Sequence, residues 1–190
     1  MAHQYTRNLI RDTFVKMLNE IPLNKITVTN IANECDINRN TFYYYYPDTY
    51  AIVTELFQNE IQKVIDEYND TLCWEDAFLK ATNFALKNRK AIYHIYNSLH
   101  REVLEKYIFD VAGNVMVRYV DKIGRHIGAV DDDIKLIAFL YQSALTQMVL
   151  HWISTGMKED PEKLIRRVGK LFDGNIELSL KRSESLKDKW

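Results

Sequence analysis

TVTNIANECDINRNTFYYYY, residues 27–46, holds two short apolar periodicities separated by three residues that fit neither. Thr27 is a good helix N-cap, and Val28, Ile31, Ala32 and Cys35 follow at helical spacing on one face. Asp36-Ile37-Asn38 breaks that pattern. Asp tolerates a turn conformation, Ile37 can plug the angle between two helices, and Asn38 can cap the next one. The second helix, Arg39 to about Tyr45, is expected to bury Phe42 and leave Arg39, Asn40, Thr41, Tyr43 and Tyr44 free. Two helices crossing steeply through a short turn form a helix-turn-helix, whose second helix enters the DNA major groove.

The surroundings read as helix throughout. A first helix over about Tyr5 to Glu20 has the stripe Ile10, Phe14, Met17, Leu18 and Ile21, and Pro22 ends it. A long helix starts at Asp48, whose carboxylate can cap it, and Val53, Leu56, Phe57, Ile61, Val64, Ile65 and Tyr68 give it one apolar face. Its beginning belongs to the N-terminal part and its end to the rest, so it is the expected mechanical link. Further helices follow from Trp74, over Ala91 to Leu99, and from Arg101 to about Gly124–Gly128. Asp131-Asp132-Asp133 opens the penultimate helix, which Gly156 stops. Asp160-Pro161-Glu162 is a strong start for the final one, with cap, N1 proline and an acid at the positive dipole end. From Lys181 the chain is polar and is expected to fray.

Composition narrows the class without naming a partner. At 190 residues the chain can bury an ample core, and only six Gly and three Pro interrupt it, which favours helices over a turn-rich β fold. The formal net charge of -1 does not advertise nucleic acid. Residues 1–50 balance Arg7, Arg11, Lys16, Lys25 and Arg39 against Asp12, Glu20, Glu34, Asp36 and Asp48. Cys35 and Cys73 fit neither a disulfide framework nor a zinc site, and no cofactor or metal is called for. His94, His100, His126 and His151 lack metal-ligand spacing, and no Gly-rich phosphate loop occurs, so an enzyme is not expected. The N-terminus MAHQYTRNL has no apolar signal region, and Lys135, Gln142, Gln147 and His151 interrupt the apolar tract from Ile134 to Ile153. No membrane association and a cytoplasmic location are expected.

On these residues the chain resembles the TetR family of transcriptional regulators. The resemblance runs from about Tyr5 to Phe57 and stands on ITVTNIA, then DINRNTFYYYYPD, then the helix with Ile52, Val53, Leu56 and Phe57. Two positions depart from the pattern: Asp36 stands where Gly is usual, and Thr49 where a phosphate-contacting Lys is usual. YNSLHREVLEKYIF, residues 96–109, is similar to a C-terminal region of Firmicutes members, some grouped with regulators of dihydroxyacetone kinase.

The resemblance implies an all-α protein with a three-helix helix-turn-helix domain at residues 1–57 and a helical effector and dimerisation domain at 58–190. It implies a repressor that binds a near-palindromic double-stranded operator as a homodimer and is released by a small-molecule effector. Residues matching DNA-facing positions are Asn38, Arg39, Asn40, Thr41, Tyr43, Tyr44, Tyr45 and Thr49. Their chemistry suits the task. Arg39 can bond guanine bidentately, Asn40 adenine or phosphate, and Thr41 can offer its methyl to thymine. Tyr43 and Tyr44 would grip phosphate and sugar, and Lys25, Thr27 and Thr29 can reach the adjacent backbone.

The penultimate helix carries apolar residues nearly all round, with Ile134, Ile137, Tyr141, Leu145, Met148 and Trp152 on one side. Leu136, Phe139, Leu140, Ser143, Gln147 and Leu150 line the other, which predicts a homodimer through the last two helices. Candidate effector contacts are Tyr96, His100, Tyr107, Met116, Tyr119, Tyr141, Met148 and His151, polar-tipped or adaptable side chains of the middle helices. The rival reading is a helical protein-interaction or ligand-binding module without DNA affinity, suggested by Thr49 and the neutral N-terminal third.

Overall fold

The computed structural model describes residues 2–68 and 73–187, with the side chains of residues 2, 3, 64, 67 and 68 left aside. The expected Val64 and Tyr68 contacts therefore lie outside the described side chains. Among the described residues the chain is all-α, and ten helices follow one another without a strand.

Helix α1, Ala2–Leu18, buries Ile10, Phe14 and Leu18. It ends earlier than its apolar stripe predicts, and Ile21 is exposed. Glu20 and Ile21 both donate to the Met17 carbonyl in a closing turn. Pro22 then starts a single 3-10 turn, Leu23–Lys25, which inserts Leu23 and later Ile26 into the core in place of Ile21. Helices α2, Val28–Glu34, and α3, Arg39–Tyr45, form the helix-turn-helix. Helix α4, Thr49–Tyr68, is capped by Asp48, whose Oδ1 accepts from the Ala51 amide at 2.8 Å.

Helices α5, Trp74–Lys87, and α6, Arg89–Tyr96, are divided by Asn88 alone. Helix α7, Arg101–Ile127, and α8, Asp131–Ser154, pack antiparallel along most of their length. Gly124 lies against the Ile134 side chain and Gly113 against that of Gln142, each filling the space a Cβ would take. Gln142 is buried there and donates to the Phe109 carbonyl at 2.9 Å. Gly128 and Gly156, both with positive φ, stop α7 and α8. By length and composition α8 alone among the described helices could cross a membrane.

The last part differs from expectation. Instead of one helix that frays, the chain forms α9, Pro161–Leu171, and α10, Asn175–Leu186. Gly174, at φ +72°, turns the chain between them. α10 is held to its end. Leu180 is fully buried, and the Ser183 hydroxyl donates to Asp133 at 2.5 Å while accepting from the Val130 amide at 3.1 Å. Polar composition hid this, because the tie runs through one serine whose partners, Val130 and Asp133, lie some fifty residues earlier in the chain.

Two buried clusters result. The larger joins α1–α4 to the end of α5, to α6, to the first half of α7 and to the second half of α8, so apolar packing runs unbroken past residue 57. The smaller lies at the far end, among α5, the second half of α7, the first half of α8, α9 and α10. Polar ties reinforce the first: His94 Nδ1 is 2.7 Å from the Leu18 carbonyl, and Arg7 binds Glu55 of α4 at 2.6 Å.

Candidate nucleic-acid interface

Each helix of the pair is started and stopped by local chemistry. The Thr27 hydroxyl accepts from the Asn30 amide while Asn30 Oδ1 accepts from the Thr27 amide, both at 3.1 Å, a reciprocal capping box. Such a cap is worth about 1 kcal/mol. At the other end Asp36 adopts φ +51°. Its amide donates to Asn33 and the Ile37 amide donates to Ala32, the paired bonds of a Schellman stop. Ile37 packs into the core from there, and Asn38 Oδ1 caps α3 through the Asn40 amide at 2.8 Å. An Asp in the position usually held by Gly thus performs the turn, at the strain any side chain carries in that region.

Phe42 orients the recognition helix. It is fully buried, with its ring 5.8 Å from Tyr43 and 6.1 Å from Tyr46. Tyr46 is also buried, and the Arg7 guanidinium lies 5.5 Å from its ring centroid. The four-tyrosine run is therefore divided by helix geometry. Tyr43 and Tyr44 are exposed, at 47% and 71%; Tyr45 is half-buried and meets Tyr44 edge to face at 5.1 Å; Tyr46 closes the core. Asn38, Arg39 and Asn40 are exposed and Thr41 is half-buried, so α3 presents a polar and aromatic ridge. Lys25, Thr27 and Thr29 are exposed just before and at the start of α2.

Charge is distributed tellingly. Arg7 pairs with Glu55, Arg11 with Asp12 and Lys16 with Glu34. Among the described residues Lys25 and Arg39 have no carboxylate partner, so the two cations of the first fifty residues left without one stand just before α2 and at the start of α3. Thr49 does not fit its expected role. It is 8% exposed, so little of its surface is left to meet a phosphate. Cys35 is buried with its thiol directed at the Leu9 carbonyl at 3.8 Å, and burial pushes its pKa up. It is a core residue with no reactivity to offer.

The eight candidate effector residues are not gathered in one place. Tyr107 is buried, stacks on Phe57 at 4.5 Å, and is the one of the eight that lines the apolar cavity among α5, α6, α7 and α8. Tyr119 and Tyr141 line a separate, more polar cleft with α9 and α10. Met148 borders a third, small space, Met116 is wholly buried, and His151 is exposed. Tyr96 lies under Arg101, and His100 stacks on Tyr50. Spacing along a helix could mark these as inward or adaptable, but only the crossing of four helices decides which share a cavity. Phe84, Thr82, Val149 and Ile153, which do share it with Tyr107, look in sequence like ordinary core.

A capped helix-turn-helix on an all-α body is the architecture of a transcriptional regulator, and comparison with known proteins agrees. Residues 73–174 match the TetR_C_8 family, the C-terminal region of transcriptional regulators. The HTH-type dhaKLM operon transcriptional activator DhaS of Lactococcus lactis subsp. lactis (strain IL1403) is 23% identical over 115 residues, 55% of this chain and 62% of that protein's length. A solved structure of a dihydroxyacetone kinase operon activator, DhaS, superposes with a TM-score of 0.72 at 18% identity, covering 91% of this chain and 97% of that one. The fatty acid degradation regulator FadR of Bacillus halodurans gives 0.62 at 18% identity, covering 87% and 93%. A TetR-family regulator from Streptomyces coelicolor gives 0.59 at 11%, covering 96% and 89%. The family match spans more than half of the chain. The protein belongs to the TetR family of transcriptional regulators, which are not enzymes.

Proposed function

We propose that the protein is a cytoplasmic, homodimeric DNA-binding regulator that occupies a near-palindromic operator and leaves it when a small molecule binds among its middle helices. The observation that carries this reading is α3 itself. Buried Phe42 fixes the helix while Arg39, Asn40, Tyr43 and Tyr44 stand outward, and the unpaired cations Lys25 and Arg39 lie on either side of α2. Arg39, Asn40 and Thr41 would read base edges, while Lys25, Thr27, Thr29, Asn38 and Tyr43–Tyr45 would hold the backbone. Residues 1–57 form the reading head and 58–190 the effector and dimerisation part.

A second copy suits an apolar face that the single chain leaves uncovered. Leu136, Phe139 and Leu140 of α8, Leu178 of α10, and Leu171 with Phe172 at the end of α9 are all more than half exposed. Exposed apolar side chains in this number on the last three helices suit an association site. Pairing about a two-fold axis there would set two α3 helices into successive major grooves, roughly 34 Å apart. Leu150, expected on this face, is buried within the chain and takes no part.

Operator occupancy can exclude polymerase or recruit it, depending on where the site lies relative to the promoter. Repression is the reading drawn from the family at large; activation is favoured by the relatives bearing the name DhaS, which are activators. Fluorescence anisotropy with duplexes from the region upstream of the gene tests the proposal. Binding is expected to be stronger than to random duplex and to weaken linearly in log K against log salt. Equal, salt-insensitive affinity for both would overturn it.

A further inference from the structure

A cleft of about 150 Å³ opens between the start of α5, the second half of α7, the middle of α8 and the turn that joins α9 to α10. Trp74, Tyr119, Tyr141 and Phe172 line it, together with the carboxylates of Glu75, Asp173 and Glu177, and no basic side chain does. The acids are unequally neutralised. Glu177 pairs with Lys181 one turn along α10 at 2.6 Å, and Asp76, beside Glu75, pairs with Arg166 at 3.3 Å. Glu75 and Asp173 have no ion-pair partner among the described residues. An acid in the first turn of a helix ordinarily serves its cap or its dipole, yet α5 has no side-chain cap bond. Glu75 instead accepts from the Cys73 thiol at 3.1 Å and extends over Gly169, where its carboxylate takes the space that a Cβ would need. Glycine inside α9 weakens that helix, and here its bareness admits the carboxylate to the cleft. Burial raises the pKa of the Tyr119 phenol, and Glu75, Asp173 and Glu177 raise it further, so the hydroxyl keeps its proton in a field set by the three acids.

We infer that this cleft binds a small organic ammonium ion, whose charge meets Glu75 and Asp173 and whose alkyl groups lie against the aromatic rings. Uncompensated carboxylates select a cation and repel an anion. The kind of cation follows from the rest of the lining. A metal ion needs several oxygen or nitrogen ligands converging at about 2.0–2.6 Å, and no three such side chains among the described residues are close enough to supply them. An alkylated ammonium is large and weakly hydrated, and the negative faces of Trp and Tyr attract it. No residue of α1–α4 lines the cleft, and it is separate from the apolar cavity that Tyr107 borders. The inference therefore stands independently of the operator and effector readings, and binding is expected whether or not DNA is present.

Calorimetric titration of the full chain without DNA, at fixed ionic strength, tests the site with choline and tetramethylammonium as probes. The alcohol 3,3-dimethylbutan-1-ol, which keeps the shape of choline with carbon in place of the charged nitrogen, is the neutral control. Calcium and magnesium stand for the metal ions. At least one ammonium ion is expected to bind the wild type, with the neutral control at least tenfold weaker. The variant combining Glu75→Gln with Asp173→Asn is expected to bind the same ion at least tenfold more weakly. Silence from both ammonium ions, equal binding of the neutral control, undiminished binding to the variant, or tighter binding of either metal would overturn the assignment. Both substitutions keep side-chain size and remove only charge, so the variant is expected to melt at the wild-type temperature. Should it fail to fold, the comparison of choline with its neutral counterpart on the wild-type protein decides alone.

Discussion

The Arg39 guanidinium reaches one helical turn forward to Tyr43, with Nη2 3.4 Å from the phenol oxygen and Cζ 6.0 Å from the ring centroid. The contact is long and exposed, so it steers the arginine without consuming its hydrogen-bonding capacity. An arginine poised but uncommitted is what bidentate contact with guanine requires. Arg39→Ala should lower affinity for the specific site by about 1–3 kcal/mol and relax its sequence preference. Tyr43→Phe should weaken specific and random duplexes alike. Anisotropy titrations on both duplexes check the contrast, and equal losses in the two variants would remove Arg39 from base reading.

Asp36 gives a test of the turn. Its φ of +51° carries strain for an L-residue, relieved by Gly and worsened by β-branching. Asp36→Gly is expected to be neutral or to stabilise by up to about 1 kcal/mol, and Asp36→Val to destabilise by about 1–2 kcal/mol. Urea melts of the three proteins decide it. The glycine variant also removes an acid beside the recognition helix, so its DNA affinity should rise.

Phe139 and Leu140 test the association face. Each is more than half exposed in the single chain, so replacing both with Glu should leave the monomer fold near wild-type stability while abolishing self-association. Sedimentation velocity is expected to show a dimer for the wild type and a monomer for the double variant, with operator affinity lost alongside. A double variant that remains dimeric would move the interface elsewhere.

Arg7 tests the tie between the first and fourth helices. Its hydrogen bonds to Glu55 hold the guanidinium pKa above its usual value, and it also lies against Tyr46. The pair is partly exposed, which limits its worth. Arg7→Ala should cost about 1 kcal/mol or less in global stability. Faster amide exchange should be confined to α1 and the start of α4, and exchange rising uniformly across the chain would contradict that local role.

The helix-turn-helix was legible because its signals are local. Thr27 and Asn38 cap helices through atoms two or three residues away, and Phe42 falls where a seven-residue helix must face inward. Asp160-Pro161-Glu162 was equally plain: Asp160 caps and Pro161 sits at the first turn. Ile21 failed for a related reason. It continued a helical stripe on paper, but the chain had already turned at Asn19–Glu20, and Leu23 filled the core position in its place. The burial of Thr49 could not be read from its neighbours, since it depends on how α4 enters the domain.

By itself the sequence determined the all-helical character, the caps of α2, α3, α4 and α9, and the exposure of Tyr43 and Tyr44. Each of these depends on bonds and periodicities spanning only a few residues. The tertiary structure alone decided which side chains share a cavity, that Tyr107 stacks on Phe57, and that Ser183 ties the end of α10 to the start of α8. Those contacts join residues about fifty apart in the chain, and their geometry is set by the crossing of packed helices, which no local pattern encodes.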